Sequence, residues 1–120
     1  MIIGIGTDLV QVNRIEATLK KFGSSFEEKV FTLFEQERAK KLPSEKQASF
    51  YAKRFAAKEA FFQDIEVQNN EKGAPFFVIK GKALASLKEK TKGMPYQIHL
   101  SLSDEKDFAL CFVVIETTLI

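Results

Sequence analysis

The residues best suited to chemistry fall in one stretch, Arg54-Phe55-Ala56-Ala57-Lys58-Glu59-Ala60-Phe61-Phe62. Its Ala, Lys, Glu and Arg content predicts a helix. Arg54 and Lys58, four residues apart, then lie one above the other. Like charges at that spacing repel mildly unless an anion lies between them. Glu59 points about 100° further round the helix. Phe55 and Phe62 mark an apolar edge that can anchor the helix in a core. Two cations for phosphoryl oxygens and a hard oxygen donor for Mg²⁺ suit a site that handles a phosphate with a divalent metal. The same residues would also make a solvated, salt-bridged helix face.

A second carboxylate shifts that balance. The chain opens Met1-Ile2-Ile3-Gly4-Ile5-Gly6-Thr7-Asp8, a short apolar strand with two glycines, closed by Asp8. Glycine inside a strand marks close approach by another backbone or a ligand. Gly4-Ile5-Gly6-Thr7-Asp8 and Phe55-Ala56-Ala57-Lys58-Glu59-Ala60 together resemble the two signature motifs of the 4′-phosphopantetheinyl transferases. Ile98-His99-Leu100-Ser101-Leu102-Ser103 is similar to a third stretch of that family. The order and spacing, from Met1 to about Glu116, fit its short bacterial holo-[acyl-carrier-protein] synthase type.

The resemblance implies a fold, a reaction and a set of roles. The fold would be α+β: a single domain over residues 1–120, with a largely antiparallel sheet packed against a long helix and shorter helices. The reaction would move the phosphopantetheine arm of coenzyme A onto a serine of an apo acyl carrier protein, releasing 3′,5′-ADP. Asp8 and Glu59 would hold Mg²⁺, with Lys58 completing the catalytic set. Arg54 and Lys58 would meet phosphate oxygens. Gly73-Ala74-Pro75 resembles the family's Gly-x-Pro, near the adenosine end of coenzyme A. His99, on the polar side of an alternating strand, would be either a hydrogen-bonded structural residue or a neighbour of a phosphate. Some family members have a histidine where Asp104 stands, so no general base is assigned. Arg14, Lys20 and Lys21 would dock the acidic helix of the carrier. A homotrimer with sites between subunits is implied as well.

Composition agrees with these expectations. The 120 residues are 45% apolar, enough for one core, and the formal net charge of +2 points to no nucleic-acid partner. The lone cysteine, Cys111, stands in an apolar run and suits a reducing cytoplasm as an inert buried thiol. No basic leader, membrane span or internal repeat is expected. The competing reading is a non-catalytic α+β module for RNA or a nucleotide. It calls for basic residues interleaved with aromatics on strands, whereas the strands here carry Glu66, Gln97 and His99.

The elements that must position these residues follow from period and caps. Asn13 with Glu16 reads as a capping box for a helix over 14–22, stopped by Gly23, with Ile15, Leu19 and Phe22 on one face. Ser25 with Glu28 and Thr32 with Glu35 open two short helices, and Ser44 with Gln47 opens the long one, over 45–62. Strands are expected over 64–68 and 76–80, a helix over 81–90, and strands over 96–103 and 108–116, the last buried on both sides. One junction breaks the rules. Gln63-Asp64-Ile65-Glu66-Val67 follows Phe62 with nothing to cap the helix or turn the chain. The family carries a glycine-containing loop there, after a lysine whose place falls here to Gln63. Either that loop has been lost, or residues are missing near 61–63; a helix without an exit favours the second.

Overall fold

A computed structural model describes residues 1–60 and 65–118. The order is β1 (Ile2–Gln11), α1 (Val12–Phe22), α2 (Ser24–Val30), α3 (Leu33–Lys40), α4 (Ser44–Ala60), β2 (Ile65–Asn69), β3 (Pro75–Ile79), α5 (Gly81–Thr91), β4 (Tyr96–Asp104) and β5 (Phe108–Thr117). The expected α+β class holds. The strands form two antiparallel sheets: β1-β5-β4, and the β2-β3 hairpin. The expected break between Ala60 and Asp64 lies outside the described residues. No described helix is long and apolar enough to cross a membrane.

β5, and β1 from Gly4 onward, alternate between faces, and the phase of that alternation places the core. Val10, Ala109, Cys111 and Val113 point inward and are buried. α4 lies across this inner face, with Ala52, Ala56 and Ala57 fully buried. Small side chains on that stripe let helix and sheet approach closely. Tyr51 and Phe31 stack beside them, with ring centroids 4.3 Å apart.

Several sequence expectations need correction. β1 does not close at Asp8 but runs on to Gln11, in register with β5 throughout that extension. α1 starts at Val12 without a side-chain cap; instead the Val12 amide donates to the Asp107 carbonyl at 2.9 Å, satisfying one of the free helix-start donors. Phe22 is exposed at the end of α1, with the Lys21 ammonium 5.2 Å from its ring centre. β5 is not buried on both sides: Phe108, Leu110 and Phe112 stand exposed on its outer face. The Thr32–Glu35 capping box is present in both directions.

Candidate active site

Gly6 shows how the first motif meets the second. A Cβ built on Gly6 would lie 2.3 Å from the carbonyl oxygen of Ala60. No side chain fits there, so glycine lets the end of α4 rest directly on β1. Asp8 is the next inward position along β1. It is half-buried and pairs in register with Cys111. The Cys111 thiol is pushed up to about 12, mainly by burial and secondly by the charge of Asp8. Cys111 is thereby an inert thiol. Glu59, adjacent to Ala60, is exposed at the same helix end. Neither Asp8 nor Glu59 enters a salt bridge among the described residues. No cluster of three or more His, Cys, Asp or Glu gathers among those residues either. Two carboxylates outside any such bridge still suit Mg²⁺, which is commonly held by one or two carboxylates, water and substrate phosphates.

Lys58 takes a different part from the expected one. It is 2% exposed, and its ammonium is 2.9 Å from the Glu35 carboxylate, which is wholly buried. The same Nζ donates to the carbonyl of Ile65. Glu35 also accepts from the amides of Thr32, at 3.0 Å, and Val67, at 2.8 Å. Lys58 is thus a buried tie between α3, α4 and β2, not a cation presented to phosphate. At 3.6 residues per turn, Lys58 and Glu59 face different sides of α4. Glu35 is the residue that sequence reasoning misses. The sequence marks it only as a capping-box partner, a local role that says nothing about burial.

Arg54 lies beside a cavity. It is 6% exposed, and its guanidinium lies 3.7 Å from the centre of the Phe50 ring. Nη2 donates to the Asn69 side chain at 3.0 Å. Nε is buried with no partner among the described residues. Burial lowers the Arg54 pKa to about 10, leaving it charged at neutral pH. The adjoining cavity, of about 500 Å³, is lined by Lys46, Phe50, Lys53, Arg54, Gly73 and Pro75, among others. Gly73 and Pro75 thus line the same cavity as Arg54. Gly73 adopts φ 84°, and the Asn70 side chain accepts from the amides of Lys72 and Ala74, each at 2.9 Å, which shapes that wall.

His99 is not brought to this site within the chain. It stands on the outer face of β4, 2.7 Å from Glu116 and on the opposite side of the sheet from Asp8. Arg14, Lys20 and Lys21 are exposed on α1, with Lys20 paired to Glu16 at 3.1 Å. The outward positions of β1, β4 and β5 carry no Lys or Arg, which removes the basic stripe an RNA-binding sheet would need.

Residues 4–113 match the 4′-phosphopantetheinyl transferase superfamily. The chain belongs to that superfamily. A holo-[acyl-carrier-protein] synthase from Zymomonas mobilis is 46% identical, covering 97% of each chain. The superfamily's solved holo-[acyl-carrier-protein] synthases include one from Neisseria meningitidis. It superposes with a TM-score of 0.81 at 37% identity, covering 98% of this chain and all of the other. A Bacillus anthracis holo-(acyl-carrier-protein) synthase, solved in complex with CoA (3′,5′-ADP), gives 0.75 at 33%, covering 98% and 99%.

Proposed function

We propose that this chain transfers the 4′-phosphopantetheine group of coenzyme A to a serine hydroxyl of an apo acyl carrier protein in the cytoplasm. The serine oxygen bonds to the attacked phosphorus, the bridging pyrophosphate bond breaks, the serine proton is lost, and 3′,5′-ADP leaves. The observation that carries this reading is Arg54. A buried guanidinium whose Nε has no partner among the described residues, at a cavity it shares with Lys46 and Lys53, calls for an anion. Five residues along α4, about 7.5 Å at the helical rise, stands Glu59. One helix thus spans the nucleotide end and the pyrophosphate end of the ligand. Phosphoryl transfer needs mainly positioning and charge stabilisation. Asp8 and Glu59 would hold Mg²⁺, which neutralises charge developing on the pyrophosphate. Arg54 and the cavity cations bind and orient the nucleotide. The direct test is mass spectrometry of an apo carrier protein incubated with coenzyme A and Mg²⁺. The carrier should gain one phosphopantetheine; an unmodified carrier overturns the reading.

The carrier would dock on α1, where Arg14, Lys20 and Lys21 offer positive charge to an acidic partner. Arg14→Glu should raise the carrier's KM about 5- to 20-fold, because charges at an interface rim govern association. Coenzyme A binding should stay unchanged. An unaltered carrier KM, or weakened coenzyme A binding, counts against this docking face.

The chain would assemble as a homotrimer. Ile5, Leu9, Phe108, Leu110 and Phe112 form an exposed apolar stretch on the outer sheet face, which supports burial against further copies. Light scattering should return three chain masses, and Phe112→Glu should return one. A monomeric parent protein would refute the assembly.

A further inference from the structure

One feature of the cavity runs against its charge. Lys53, on α4, is paired at 3.1 Å with Asp104, the last residue of β4. Both line the Arg54 cavity, and both are partly exposed. The pair therefore ties helix to sheet at the cavity wall. It places one carboxylate among three cationic side chains, Lys46, Lys53 and Arg54. Asp104 is the odd member: a carboxylate beside a polyanionic ligand opposes binding unless its charge is already engaged.

We propose that the Lys53–Asp104 bridge is a displaceable clasp at the nucleotide end of the site. In the free protein Asp104 holds Lys53 at the wall. When a phosphorylated nucleotide enters, Lys53 leaves Asp104 for a phosphate oxygen. The inference rests on the coenzyme A reading of this cavity. A solvent-accessible ion pair is worth only about 0–1 kcal/mol, so a multiply charged phosphate competes for the lysine without a large penalty. Lys–phosphate contact is also charge-assisted, with more acceptor oxygens on the ligand than on Asp104. The clasp lowers affinity by whatever bridge energy must be surrendered, and the two states interconvert through a single long side chain. Asp104 then tunes affinity: any phosphorylated ligand that takes Lys53 gives up the bridge energy, whereas a ligand without phosphate gives up nothing.

The test measures binding of 3′,5′-ADP to the whole protein by calorimetry, without carrier or turnover. Asp104→Asn removes the competing charge while keeping the side chain's shape. It should tighten 3′,5′-ADP about two- to fivefold at about 50 mM salt, and the gain should fade at about 0.5 M salt, where exposed charges are screened. Adenosine, which carries no phosphate, should bind the two proteins equally. Lys53→Gln should weaken 3′,5′-ADP and erase the gain in the double variant, since the clasp acts only through Lys53. Equal or weaker binding of 3′,5′-ADP by Asp104→Asn overturns the clasp, as does a gain that survives in the double variant. Failure of the parent protein to bind 3′,5′-ADP at all overturns the coenzyme A reading itself, and the clasp with it.

Discussion

Glu59→Gln should abolish phosphopantetheine transfer, by at least about a thousandfold in kcat, while the protein unfolds at its usual temperature. The size of the effect follows from what the carboxylate would do. Mg²⁺ beside a pyrophosphate stabilises charge in the transition state, and such terms are worth several kcal/mol, with about 1.4 kcal/mol for each tenfold. An amide keeps one oxygen but loses the charge. The unchanged stability follows from position: Glu59 is exposed at the end of α4 and enters no salt bridge among the described residues. Asp8→Asn should lose activity alike; Asp8 is half-buried on β1 but, like Glu59, enters no salt bridge among the described residues. Binding of Mn²⁺ in the presence of coenzyme A, followed by its magnetic resonance signal, supplies a readout independent of turnover. Both variants should weaken it. A Glu59→Gln protein that keeps more than about a tenth of the parent rate at saturating Mg²⁺ would remove Glu59 from the metal pair.

Glu35→Gln should have the opposite signature: a large loss of stability. Removing one partner of a buried ion pair leaves the other charged and unpaired, at a cost of about 3–5 kcal/mol. Here the stranded charge is the Lys58 ammonium, only 1% exposed at its side chain. The substituted side chain has one oxygen where the carboxylate had two. If that oxygen turns to the backbone amide of Val67, the new NH₂ group is left against Lys58. For a chain of this size the shift should be roughly 10–25 °C in thermal unfolding. Replacing both partners with Met should recover most of that loss, because apolar isosteres of a buried pair are often neutral. A Glu35→Gln protein that melts within about 2 °C of the parent would mean that the tie contributes little.

The contrast between neighbours explains how far the amino-acid sequence reaches. Lys58 and Glu59 are adjacent, and spacing alone places both at the chemistry. The helix period correctly sends them in different directions, yet nothing in the period says which direction is covered. That depends on α3 and β2, which bring Glu35 and the Ile65 carbonyl onto the Lys58 side. Glu35 itself is hidden by a local inversion. α3 exposes Leu33 and Phe34 while burying Glu35 and Gln36, because Lys58 and the Val67 amide draw Glu35 inward. His99 shows the limit from the other side: alternation correctly puts it opposite Leu100, but only the packing of α4 decides that its face is the outer one.

What the sequence determined by itself was whatever depends on short-range periods and caps: the strand alternation of β4, the Thr32–Glu35 box, the span of α4 up to Ala60, and the hairpin turn at Asn70–Gly73. It also carried the pairing of the Asp8 and Glu59 motifs, through their order and spacing. The tertiary structure decided which charges are paired inside and which remain for a ligand. Gly6 became necessary only when the Ala60 carbonyl arrived 2.3 Å from where its Cβ would stand. Burial left the Arg54 Nε without a partner among the described residues, at the edge of a cavity. The reason is physical. A side chain's period is set within one turn or one pleat, but its dielectric surroundings and its partners come from segments far away in the chain, and those settle whether a charge binds a substrate or the protein itself.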